Sequence, residues 1–581
     1  MPKMTSKKSI SDASQDNPLT KYVPLLLVIL ALALRLWGIT WALPEKTRFY
    51  SYHVDESVVV GHALDLNPLA GQVDPNFYNY GSLTLLLDGL VIHAGRAAGL
   101  IDANAVDVRP GGLALPTGTE LLTARLISAL LGAGTVGFLY GTGRLLYGQT
   151  TGIVAGIGYA IAPLAVQHAH FATVDVGGVF WIAGSLYFAA KFWCAGSPPA
   201  KFLFLAGLFA GLAAAAKYNG GLVMLAGIVA WWVAMPRKPL SLGLLFAGTG
   251  LGFLVGCPGI VMNPSAVIRD VLFEAQHVAS GHGAVFTDTL PGFLYHIVVN
   301  LRWGLTVPLL VVCLVSVGVA VARRRPADAI LAAFAIPYYL LIGLAAVKFS
   351  RYTLPLFPPL FLLAGAAWSG WRNARSQTAF RAFAVCGGIS ALGFSIALDQ
   401  TMTRPDPRDE AAAYIRSLPT VRTVGFPAGP WNYSPTLNPS LTHPYPPVAL
   451  QVALQNEPTR LIPSVRFDTD GQPERDERGF LFPTEWSLPL LAEPFAPDAL
   501  AFGELHYDDW LRTRFAPAQE YLRVAEKQYP NRKDFTNPIT LFGLPVAPIY
   551  TVPGEPWFGL PRQPLPHDML YTNSSVSVWT R

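Results

Sequence analysis

The chain has 581 residues, of which 52% are hydrophobic and only 14% charged, with a mean hydropathy of +0.37. A soluble globular chain carries about 25% charged residues, so this composition excludes an ordinary soluble fold and points to many membrane spans. The net charge of +5 is modest, and no basic run interleaved with aromatics speaks for nucleic acid.

Residues 1–21 read as a cytoplasmic tail carrying Lys3, Lys7, Lys8 and Lys21. Residues 22–43 form an apolar run of membrane-spanning length. The run is too long for a cleavable signal core, and no A-x-A site follows it. Further apolar segments lie near 122–142, 151–166, 175–194, 202–216, 219–236, 241–258, 304–322, 327–346, 353–370 and 381–398. Together they predict an α-helical polytopic protein of about eleven transmembrane helices within residues 22–398. Residues 82–100 are also apolar but hold Asp88, His93 and Arg96, and are expected to form a helix lying in the interface, the alternative being a twelfth span. Cys194, Cys257, Cys313 and Cys386 sit in or beside apolar stretches and read as small core hydrophobes, with no disulfide framework.

Orientation follows from Lys and Arg. Alternate connections carry Arg144, then Lys191 and Lys201, then Arg237 and Lys238, then Arg323 to Arg325, then Arg372, Arg375 and Arg381, and are expected in the cytoplasm. The other set faces outward, including a first loop at 44–121, a second long loop at 259–303 and the tail from 399. The tail, 399–581, is rich in Pro, Tyr and charge. DPRDEAAAYIRSLP and APAQEYLRVAEKQY read as helices, TVRTVGFPA and DALAFGEL as strands, so a small outward α/β domain is predicted.

The outward connections gather acids, imidazoles and cations. The first loop opens with YSYHVDESVVVGH, placing His53, Asp55 and Glu56 at the exit of the first span. QHAHFATVD supplies His168, His170 and Asp175, AAKYNGG supplies Lys217, and VKFSRYTLPLFPP supplies Lys348, Arg351 and Tyr352. Each has an ordinary alternative. The acid pair suits a helix N-terminus, Lys217 suits an interfacial snorkel, and Lys348 with Arg351 suits an interfacial anchor. Arg35 inside the first span costs about 2.5–3.5 kcal/mol at bilayer centre on insertion scales, so a protein partner is expected. Asp175, opening a span, is a functional candidate on the same ground.

These groups suit sugar transfer from a polyprenyl-phosphate carrier to a hydroxyl. A carboxylate takes the acceptor proton as general base, and fixed cations stabilise charge growing on the departing phosphate. Arg grips phosphate with two donors and Lys acts as a point charge. A secondary transporter is the rival reading, but its ionisable groups would sit at the membrane midplane on paired halves, and no internal repeat is seen. A polysaccharide polymerase or ligase of related architecture is the third.

The arrangement resembles the GT-C class of polytopic glycosyltransferases, and most nearly family 39, the protein O-mannosyltransferases and bacterial aminoarabinose transferases. HVDE carries the likeness, with TARLISALLGAGTVGFLYGTGRLLYG at 123–148, HFATVDV at 170–176, GLAAAAKYNGG at 211–221 and KFSRYTLPLFPPL at 348–360. The resemblance implies that Asp55 is the catalytic residue with Glu56 beside it. It implies that Lys348, Arg351 and Tyr352 lie near the carrier phosphate, with Lys217 in a phosphate role. Arg125 matches an arginine common at the second span, where it would bind substrate or pair with the first loop; Asp175, His170 and Arg35 complete the candidate binding set. No metal is assigned, although a divalent ion held by His53, Asp55, Glu56 and His170 is the alternative. The partners expected are a polyprenyl-phosphate-linked sugar, a lipid, glycan or protein hydroxyl acceptor, and membrane lipid. The expected location is a bacterial inner membrane, with the tail domain in the periplasm.

Overall fold

A computed structural model describes residues 21–581, apart from 46, 47, 49, 103–106, 109–113, 196–198, 236, 372, 428–431, 438–459, 463–473, 475–484 and 548–564. The expected cytoplasmic tail lies outside the described residues except for Lys21. A helix stands at every apolar stretch expected to span. In chain order the helices begin with α1 (Val23–Leu36), the first-loop helices α2 (Val54–Leu64) and α3 (Leu83–Ala97), α4 (Gly118–Tyr147), α5 (Gln149–Ala160) and α6 (Pro163–His168). They continue with α7 (Val174–Cys194), α8 (Ala200–Ala216), α9 (Met224–Val233), α10 (Pro239–Gly256), α11 (Gly259–Met262), α12 (Pro264–Ser280) and α13 (Gly292–Tyr295). Last come α14 (Arg302–Leu305), α15 (Val307–Arg323), α16 (Pro326–Leu344), α17 (Phe357–Trp368) and α18 (Ala374–Met402).

Four helical stretches among the described residues are long and apolar enough to cross a membrane, or five if one bent pair counts as a single span. The expectation was about eleven. The difference lies in interruptions and short segments. α1 has 14 residues. Pro163 opens α6 and separates it from α5, because proline cannot donate the backbone bond that would continue the helix. The bent pair joins 292–305 to 307–323 at 120°. Its corner is Thr306, at φ 69° with Pro308 next but one, and a π-helical turn at His296–Leu301 precedes it.

α8 and α10 pack through glycines the sequence reading did not single out. Gly207 and Gly211 face Gly248 and Gly252, each pair at a spacing of four that lets two backbones approach. A Cβ on Gly211 would overlap the Thr249 carbonyl oxygen, whereas one on Gly243 meets nothing within 4 Å. Gly211→Leu is therefore expected to destabilise the helix pair by about 1–3 kcal/mol or more. The monodisperse fraction after detergent extraction and heating checks this, with Gly243→Leu as the unaffected control.

The tail folds as expected, with additions. α19 (Pro407–Ser417) and α21 (Ala516–Gln528) are the expected helices, and α20 (Glu504–Arg512) takes over where the DALAFGEL strand ends. A five-stranded sheet runs in the order β4 (Arg460–Ile462), β3 (Thr423–Gly425), β5 (Ala499–Gly503), β9 (Val576–Thr580), β6 (Asn531–Phe535). β3 is parallel to β4 and β5, while β9 is antiparallel to β5 and β6. All five residues of β5 are buried because both faces of the sheet are covered. Ile415 of α19 packs with Val424, Ala501 and Val578, and Tyr521 of α21 packs with Leu500, Phe502 and Trp579. The tail also locks onto the first loop. Tyr52 donates to Asp409 and the Asn432 amide to the Ser51 carbonyl, and outside that loop Gln167 of α6 donates to the Met569 carbonyl.

Candidate active site

α2 begins where the first loop turns back into the molecule, and its sequence builds its own start. His53 is the N-cap, its Nδ1 accepting from the Asp55 N–H at 3.2 Å. Asp55 and Glu56 follow in the first turn, where the helix dipole favours carboxylates. Their side chains then diverge. Glu56 is fully buried and accepts from Arg125 Nε and Nη2 (both 2.7 Å), Ser51 Oγ (2.5 Å) and the Ala172 N–H (2.8 Å). Burial opposes its charge, but Arg125 outweighs that and holds the carboxyl below its ordinary range. The Asp55 side chain keeps 22% of its surface exposed and meets Arg351 Nη2 at 3.1 Å.

Arg351 sits in a 3-10 turn, Ser350–Leu356, that leads into α17. Its guanidinium lies 4.1 Å over the Phe349 ring. Besides Asp55 it faces Asp568 at 3.7 Å and Asp175 at 3.9 Å. Asp175, in the first turn of α7, also accepts from Lys217 at 2.7 Å, and Lys217 lies 4.6 Å over the Tyr352 ring. Residues from the first loop, three later connections and the tail thus surround one guanidinium. Three carboxylates face two cations here, so the group carries a surplus negative charge that an incoming cation or a proton would relieve. An anion that binds must displace a carboxylate from Arg351 or Lys217.

Residues 112–262 match the family model described as dolichyl-phosphate-mannose-protein mannosyltransferase. The chain is a membrane glycosyltransferase. No curated protein matches it. Among solved structures, the apo oligosaccharyltransferase of Archaeoglobus fulgidus is similar at 12% identity and TM-score 0.47, covering 91% of this chain and 76% of that one. ArnT from Cupriavidus metallidurans bound to undecaprenyl phosphate is similar at 15% identity and TM-score 0.44, covering 86% and 94%. The S. cerevisiae protein O-mannosyltransferase Pmt1-Pmt2 complex bound to the sugar donor is similar at 20% identity and TM-score 0.30, covering 47% and 36%.

Within this glycosyltransferase the remaining expected site residues divide. Lys348 does not join the Asp55 group: its ammonium is held by Thr289 Oγ1 at 2.7 Å and the Leu290 carbonyl at 3.0 Å, over Tyr295. Arg35 is buried and donates to the Ala31, Tyr159 and Ala160 carbonyls, so it caps the broken end of α5. His170 is also buried, with Nδ1 at the Val166 carbonyl and Nε2 at the Trp37 carbonyl. Tyr352 packs under Lys217. His53, Asp55, Glu56 and His170 do not form a ligand set, because Arg125 and backbone carbonyls already hold two of them. Among the described residues no group of three or more His, Cys, Asp or Glu is placed to hold a metal.

The residue the sequence reading missed is Asp568. It accepts from the Ser350 and Arg351 N–H groups, each at 3.0 Å, and lies 3.8 Å from His168. Its only signal in the sequence is an isolated HD pair in a proline-rich stretch. Burial opposes its charge, but Arg351, His168 and the two N–H donors hold the carboxyl below its ordinary range. Its stabilising contribution is therefore present above the unfolded carboxyl's pKa of about 3.9 and is lost as pH falls through the lower folded value. Asp568→Ala is expected to leave two buried N–H groups unpaired, at about 1–3 kcal/mol. Limited proteolysis of the tail and the thermal midpoint check this, and Asp568→Asn should retain part of the loss.

Proposed function

We propose that this glycosyltransferase moves a sugar from an isoprenyl-phosphate carrier to a hydroxyl acceptor at the outward membrane surface, with inversion and with Asp55 as general base. The observation that carries the reading is the 3.1 Å pairing of Asp55 with Arg351, two residues far apart in the chain. Asp55 is partly open to solvent, as a base that meets an acceptor must be. Arg351 and Lys217 supply the cations that a departing phosphate needs. The family's described donor is a dolichyl-phosphate sugar, in keeping with an isoprenoid carrier.

In the step, the acceptor oxygen attacks the anomeric carbon from the face opposite the phosphate. Its proton passes to Asp55 as the new glycosidic bond forms. The bond from the anomeric carbon to the phosphate oxygen breaks, and isoprenyl phosphate leaves with the electron pair beside Arg351 and Lys217. Glu56 holds the loop through Arg125 and does not meet substrate. The test is transfer from a synthetic isoprenyl-phosphate sugar by the purified chain, with the product anomer read by NMR. Retained configuration, or no release of isoprenyl phosphate, overturns the reading.

A further inference from the structure

The last part of the tail turns back along a membrane helix. Residues 535–554 carry no Asp, Glu, Lys or Arg, in a tail otherwise rich in charge. Within them β7 (Thr540–Leu541) and β8 (Leu544–Pro545) form an antiparallel hairpin, pairing Thr540 with Pro545 and Leu541 with Leu544. The hairpin descends along α18. The Asn537 amide donates to the Thr401 carbonyl at 2.9 Å, and Arg404 donates to the Pro538 carbonyl at 3.0 Å and to Thr540 Oγ1 at 2.7 Å. Farther down, a Cβ on Gly393 would come within 3.1 Å of Leu541 Cδ2. The step from Thr401 to Gly393 is about 12 Å along the helix at 1.5 Å per residue. The apolar run of α18 ends at Leu398, before Asp399, so Gly393 lies about 7.5 Å inside that run.

The tip of the hairpin is Phe542-Gly543, at φ 49° and 82°. A two-residue turn of this kind favours Asn-Gly or Asp-Gly, and a bulky ring is poorly suited to positive φ. Phe542 gains no packing in return, since 88% of its surface is exposed, and Leu544 beside it is 71% exposed. Chain conformation alone therefore argues against an apolar tip here, and the sequence supplies one.

We propose that this hairpin is a lipid anchor: Phe542 and Leu544 enter the leaflet on the tail's side of the membrane and sit among acyl chains just below the headgroups. The inference goes beyond the transferase reading and does not depend on it. The neighbouring surface of α18 argues for lipid as the occupant. Val385, Ile389 and Gly393 stand four apart and share one face of the helix. Val385 and Ile389 are exposed and apolar, as a lipid-facing stripe of a membrane helix is, and Leu541 continues that stripe at Gly393. The depth fits an interfacial segment, whose apolar side chains reach about 5–10 Å into the boundary between headgroups and acyl chains. The backbone fits as well. Lipid tolerates few unpaired polar groups. The hairpin pairs its strands, Pro545 has no N–H to leave open, and the Val546 N–H donates to the Ile539 carbonyl at 2.9 Å. The turn at Phe542-Gly543 keeps access to headgroups and water at that depth. The anchor belongs to the same tail that brings Asp568 to Arg351, so it sets the height of that carboxylate over the bilayer.

The test uses the full chain in phosphatidylcholine nanodiscs, with Phe542→p-benzoylphenylalanine or the same replacement at Leu544. After irradiation and removal of free lipid, mass spectrometry is expected to find phosphatidylcholine adducts at both positions. The same replacement at Arg523, an exposed residue of α21, should give none. Adducts to a second copy of the chain in place of lipid overturn the proposal, and so does a tip that takes up no more lipid than position 523. A second measurement reads the anchor's hold on the tail. Phe542→Asp combined with Leu544→Asp changes two exposed side chains, so the folded yield in detergent should match the parent. In nanodiscs, limited proteolysis of the tail should rise about tenfold, the factor that burying one such apolar side chain is worth, because cleavage follows the population of the open form. Cleavage at the parent rate would show that the tip holds nothing, and overturns the anchor as well.

Discussion

Asp55→Asn is expected to lower sugar transfer by about 10²–10⁴-fold, the range that a positioned general base contributes. The amide keeps the size of the carboxylate and can still accept from Arg351, so the fold around α2 should survive. What it loses is the ability to take a proton from the acceptor. His53 and Glu56 do not substitute. His53 is buried with its Nδ1 on the Asp55 N–H, and Glu56 is committed to Arg125. Measuring release of isoprenyl phosphate alongside thermal stability separates lost chemistry from lost structure. Activity within tenfold of the parent in a folded Asp55→Asn protein would remove Asp55 from the mechanism.

Arg125→Met is expected to cost about 3–5 kcal/mol, because it leaves Glu56 buried and unpaired. Both side chains are fully inaccessible. The guanidinium uses all its donors: two on Glu56, one shared with Ser51, and others on the Ile39 and Trp41 carbonyls. It therefore staples the segment after α1 to both α2 and α4. Glu56→Gln should destabilise in the same sense by leaving the cation uncompensated, and the double variant Glu56→Leu with Arg125→Met should recover part of the loss. Thermal and chemical unfolding midpoints in detergent check all three, and a parent-like midpoint for Arg125→Met would contradict the argument.

The membrane helices were legible because a span needs a long apolar run, and every such run in this chain became helical. The lengths were less legible, since Pro163 and the turn at Thr306 cut helices inside runs that composition alone reads as continuous. The meeting of Asp55, Asp175, Lys217 and Arg351 followed from placing charged residues on one side of the membrane. Lys348 sat in the same stretch as Arg351 yet turned toward Thr289, because it precedes the Ser350–Leu356 turn that carries Arg351. Asp568 was not legible. Its role depends on two N–H groups more than two hundred residues away, and no local pattern marks such a contact.

Asp568 also orders events during biosynthesis. Lys217 and Arg351 are translated well before residues 565–572, and Asp568 reaches Arg351 only after the tail has folded. A nascent chain therefore holds Arg351 against two carboxylates instead of three, and its 350–351 turn lacks the acceptor that fixes it. Maturation of the centre is thus tied to folding of the tail, and a chain whose tail has not docked carries its cationic turn unanchored.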